Sequence, residues 1–169
     1  AGFRKVRQER DLLKENYLVV FQKVESELGD LHRRPGRGVG RGPGPELRQD
    51  QDVFHYLLEH HDKISRQVTL LENGVETLTE SADPEVASKL REHVSSMHQR
   101  VTEGRGFRLW DELFAAVFAH YRQIQMEYEE TERGVRVRET STDPLTVKLI
   151  QAHAEVVSRF VKYGFDEAH

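Results

Sequence analysis

One feature constrains this sequence more than any other: it repeats itself at an offset of 60 residues without a gap. Asn73-Gly74-Val75-Glu76-Thr77-Leu78-Thr79-Glu80-Ser81-Ala82-Asp83-Pro84 aligns with Arg133-Gly134-Val135-Arg136-Val137-Arg138-Glu139-Thr140-Ser141-Thr142-Asp143-Pro144. The register extends upstream through Phe54/Phe114, His60/His120 and Ile64/Ile124, and downstream through His93/His153, Val101/Val161 and Gly104/Gly164. Between 60–104 and 120–164, 11 of 45 positions are identical, where residue frequencies alone give about three. The chain therefore carries a duplicated structural unit.

Each unit reads as helix–strand–helix. Phe54, Leu57, Leu58, His61, Ile64, Val68 and Leu71 share one helical face, as do Phe114, Val117, Phe118, Tyr121, Ile124 and Tyr128. Gly74 and Gly134 then serve as helix stops. Residues 75–80 and 135–140 suit short strands. Paired antiparallel about a pseudo-twofold axis, they bring Glu76 and Glu80 near Arg136 and Arg138. Asp83-Pro84 and Asp143-Pro144 open second helices, the aspartate capping free N–H groups and the proline losing no needed donor. The expectation is an all-α protein: a pseudo-twofold four-helix bundle, a two-strand ribbon across one end, and a separate N-terminal helix.

That N-terminal helix spans 3–31, with Val6, Leu13, Tyr17, Val20, Val24 and Leu28 on one face. It either docks on the main domain or forms a partner-binding arm. Residues 33–45 are dominated by glycine and proline and read as a linker. Its four arginines lack interleaved aromatic residues, so nucleic acid is not an expected partner. The division is an N-terminal helix at 1–32, a linker at 33–48, and a duplicated bundle at 49–169 with units at about 50–104 and 110–164.

Composition narrows the chemistry. The chain has no cysteine, which removes thiolate zinc sites, iron–sulfur clusters and disulfides. The longest apolar run, Leu18–Phe21, is far too short to span a membrane. Nine histidines make imidazole the expected centre of any site. In a bundle, His60, His93, His120 and His153 lie at similar heights, roughly 14–18 Å from one end. The cofactor set is therefore His93, His153, His60 and His120, and the metal set is His93, His153, His61 and Tyr121. The expected cofactor is haem b or a transition metal, copper or iron. An equally open reading is that the paired histidines cap or hydrogen-bond alike in both halves. A ferritin-like di-iron site is excluded, because Leu57, Leu90, Val117 and Ile150 stand where Glu-x-x-His requires glutamate.

Asn73–Ser81, Glu92-His93-Val94 and Ile150–Val157 resemble a group of small exported bacterial helical proteins. The resemblance covers about 50–169. It implies an exported, periplasmic location and implies no activity. Ala1 as the first residue agrees with removal of a leader, although the residues themselves suit the cytoplasm equally. Three functions are thus in view. The first is a histidine-ligated haem or metal protein in electron transfer, sensing or metal handling. The second is a non-catalytic subunit that joins a larger homo- or hetero-oligomer through residues 3–31 or through an exposed face of the bundle. The third is an enzyme, for which no catalytic constellation is visible.

Overall fold

The computed structural model describes residues 44–107 and 111–168. The expected N-terminal helix, nearly all of the linker, and Trp110 lie outside the described residues. Helix α1 (Pro45–Glu59) starts with proline at its first position, so residues 45–48 are helical. A 3-10 turn (His61–Lys63) leads into strands β1 (Ile64–Leu71) and β2 (Gly74–Ser81), then helix α2 (Pro84–Glu103). The second unit repeats this order. It comprises α3 (Glu112–Ala119), a 3-10 turn (Tyr121–Gln123), β3 (Gln125–Thr131), β4 (Gly134–Thr140), α4 (Pro144–Tyr163) and a short α5 (Phe165–Ala168).

The fold is α+β, which corrects the expectation of an all-α four-helix bundle. The four strands form one antiparallel sheet in the order β1-β2-β4-β3. The expected ribbon exists as the central pair. Thr77 lies opposite Val137, and these two residues are themselves 60 apart, so the pseudo-twofold axis passes between them. Glu76 faces Arg138 across this pair, and Arg138 faces Glu127 on the outer strand. Glu80 instead neighbours Arg133 at 3.8 Å and accepts a hydrogen bond from Thr131.

The outer strands, β1 and β3, occupy segments that were expected to continue the first helices. Residues four apart share a face in a helix, but also in a strand, because four is a multiple of two. Ile64 and Val68 fit both patterns. The β-branched Ile64, Val68 and Thr69 suit a strand, and the chain turns back at Glu72 and Asn73, with Gly74 already paired to Leu71. Gly74 and Gly134 accordingly do not end helices. A Cβ on Gly74 would stand 1.9 Å from the Glu139 carbonyl oxygen, and one on Gly134 would stand 2.0 Å from that of Thr79. Both glycines let β2 and β4 approach. Beyond them, Ser81 N–H donates to Arg133 O and Ser141 N–H to Asn73 O, at 2.8 and 2.9 Å.

The expected caps are present. The Asp83 side chain accepts from the N–H groups of Glu85 and Val86, and Asp143 from that of Thr146. The long helices cover one face of the sheet in a crossed arrangement. Helix α2 packs chiefly on β4, beyond its own unit, and α4 on β2 and β1. Helices α1 and α3 pack against α2 and α4, respectively. The interlock recurs in the turns. The Tyr121 ring lies over Gly104 at the end of α2, and the His61 ring lies over Gly164 at the end of α4. Between α1 and α2, buried Asp50 accepts from Arg100 at 2.6 Å and from Ser96. No helix among the described residues is long and apolar enough to cross a membrane.

Candidate functional site

The helices do not close fully on the sheet. A cavity of about 160 Å³ lies between them, lined mostly by phenylalanine, leucine, valine and methionine side chains from both units. Helices α2 and α4 send His93 and His153 into it from equivalent positions. Each imidazole meets the equivalent phenylalanine of its own unit. The Phe54–His93 centroids are 6.0 Å apart and the Phe114–His153 centroids 5.0 Å. Phe160 lies between the two phenylalanines, 5.7 Å from Phe54 and 6.3 Å from Phe114.

Burial makes charging these imidazoles costly. It pushes His93 and His153 down to about 4 each, and for His153 the nearby Arg66 and His93 act in the same direction. Both are therefore neutral at pH 7, and each offers one N–H donor and one bare nitrogen. The Nδ1 atom of His93 is buried and has no hydrogen-bond partner among the described residues.

The other expected residues are placed differently. His60 and His120 are the residues that end α1 and α3, and their Nδ1 atoms donate to the carbonyls of Tyr56 and Ala116 at 2.9 and 2.8 Å. Their duplication reflects a shared helix-end bond; neither lines the cavity. His61 does line it, with Nδ1 donating to Val161 O at 2.9 Å. Tyr121 packs on Gly104 and accepts from Arg122 at 3.0 Å. No group of three or more His, Asp or Glu side chains among the described residues is arranged to hold a metal ion. The haem and metal expectation relied on four histidines in one layer of a bundle. Here two of the four serve helix ends, and a sheet forms one wall of the space.

The sheet contributes two groups that sequence reasoning did not single out. Arg66 and Glu139 both face the cavity. Arg66 Nη1 donates to Thr79 Oγ1 at 2.8 Å, and its Nε to Ser158 Oγ at 3.3 Å. Burial lowers Arg66 to about 10 and raises Glu139 to about 7, the opposite charge of each partly offsetting the effect on the other. Period-two alternation was the available signal. Residues 135, 137 and 139 share a face, and the buried Val135 fixes it inward. No family model, curated protein or solved structure matches the chain.

Proposed function

We propose that this chain is a small-molecule-binding protein whose ligand sits between the helix layer and the sheet. One observation carries the reading: two duplicated helices direct equivalent neutral imidazoles into a single apolar cavity, and one of those imidazoles keeps a buried nitrogen unpaired. Buried polar atoms in native proteins nearly always have partners, so an unpaired one on a residue that lines the cavity supports a polar ligand atom close by. Apolar walls with a few convergent polar groups are the usual composition of ligand sites. A cavity of about 150 Å³ takes up a molecule the size of benzene, and this one measures about 160 Å³. The reading is therefore of a small, flat and largely apolar ligand.

The test is a titration of the full chain with indole, followed by NMR of the imidazole signals. Saturable shifts at His93 and His153, with His60 and His120 unmoved, are expected. No saturable shift at either cavity histidine would overturn the proposal. So would haemin binding with a two-histidine spectrum that is lost in His93→Ala and His153→Ala, since that would identify a haem protein instead.

A further inference from the structure

The duplication breaks inside the cavity, and the break is polar. Arg66 lies opposite Thr79 in the sheet register, and Met126 lies opposite Glu139. These two pairs are each other's counterparts at the 60-residue offset. One corner of the cavity floor thus holds a guanidinium over a threonine, and its twofold mate holds a carboxylate beside a methionine. Apart from His61, Thr77 and the duplicated His93 and His153, the rest of the lining is apolar.

Among the described residues neither charged group is in an ion pair. The hydrogen-bond partners of Arg66, Thr79 and Ser158, are neutral hydroxyls, and no carboxylate lies within ion-pair distance among the described residues. A cation and a carboxylate taken out of water but not in contact recover little of their desolvation cost from each other. The register gives their spacing. They stand on strands two apart and four residues apart along the strand, which separates their Cα atoms by roughly 16 Å. Both side chains line the same cavity, so one ligand held there can meet a charged group at each end.

On the binding reading above, we infer that the ligand is an aromatic acid polarised end to end. Its carboxylate meets Arg66, its ring lies under Phe54, Phe114 and Phe160, and a hydroxyl or amino donor reaches Glu139. Arginine suits the first role because its planar fork matches a carboxylate in a two-bond arrangement. An acceptor at the far end rejects molecules that lack a donor, since it would be left buried and unpaired.

The probes are 4-hydroxybenzoate, benzoate and phenol, titrated calorimetrically into the full chain and into two variants that install the repeat counterpart. Arg66→Met is expected to weaken 4-hydroxybenzoate and benzoate at least tenfold and to leave phenol unchanged. Glu139→Thr is expected to weaken 4-hydroxybenzoate about tenfold and benzoate little. Thermal unfolding of both variants checks that the fold persists. Should a variant not fold, the wild-type order of 4-hydroxybenzoate over benzoate over phenol decides. If indole binds but 4-hydroxybenzoate binds no better than phenol, or Arg66→Met changes nothing, this inference falls and the cavity reading stands. If neither indole nor the acids bind, both fall.

Discussion

Acidification should expose the opposed demands of the cavity's titratable groups. His93 and His153 are held neutral, at about 4 in the fold against 6.5 when free. The unfolded chain therefore binds more protons below pH 6.5, and the stability these residues supply is lost as pH falls toward 4. Glu139 runs the other way. Its carboxyl sits at about 7 in the fold against 4.5 when free, so its stabilisation is full below 4.5 and lost as pH rises through 7. Between pH 7 and pH 4.5, linkage gives a loss of about 2–3 kcal/mol for each histidine and a gain of about 2–3 kcal/mol from Glu139. The three together leave a net loss of about 2–3 kcal/mol. Glu139→Gln removes the offset, so the variant should lose about 5 kcal/mol over the same interval. Urea unfolding at pH 7.0, 5.5 and 4.5 measures both. Other carboxylates titrate equally in the two proteins, so the difference between their slopes isolates the cavity. Parallel pH dependences for the wild type and Glu139→Gln would refute the assignment of Glu139 as a buried, proton-binding group.

Gly134→Ala should destabilise the chain by about 3 kcal/mol or more, because a new Cβ meets the Thr79 carbonyl oxygen at 2.0 Å and backbone cannot yield; thermal unfolding reports it. Asp50→Ala strands Arg100, which is paired and buried between α1 and α2, and should cost about 3–5 kcal/mol in chemical denaturation. Asp83→Ala removes two N–H acceptors at the start of α2 and should cost about 1 kcal/mol by the same assay. His120→Ala gives up one bond at a helix end and should cost about 1 kcal/mol. It should leave indole binding unchanged, whereas His153→Ala should alter it.

The duplication, the central strand pair, its Glu76–Arg138 pairing and both Asp-Pro helix starts were legible because each rests on local chemistry or on self-comparison, whereas Glu80 pairs with Arg133 rather than Arg136. The outer strands were not, because Ile64 and Val68, four apart, satisfy a helical spacing as well as a pleated one over so short a run. With Gly74 read as a helix stop, the turn at Glu72-Asn73 and the pairing of Gly74 with Leu71 were hidden, and with them the sheet. The histidine pair His93 and His153 was legible from its apolar neighbours. His60 and His120 shared the duplication but not the role, since a residue just past a helix end can bond the carbonyl four positions back. Arg66 was hidden because 64–71 reads as helix, and Glu139 because the alternation within 135–140 had no buried neighbour strand to fix which face is inner. A charged residue on an unrecognised inner face reads as surface.

The crossed packing of the long helices has a consequence for how the chain is made. Strand β2 finds its central partner only in β4, synthesised 60 residues later. Its main helical cover, α4, arrives later still. At about 5–20 residues per second, the inner edge of β2 stays open for roughly 3–12 s while the second unit emerges from the ribosome. An open strand edge is a template for any other chain that reaches it. A matching β2 edge on a neighbouring nascent copy is the nearest imitation of β4, so misassembly of this protein should favour pairs joined at Thr77.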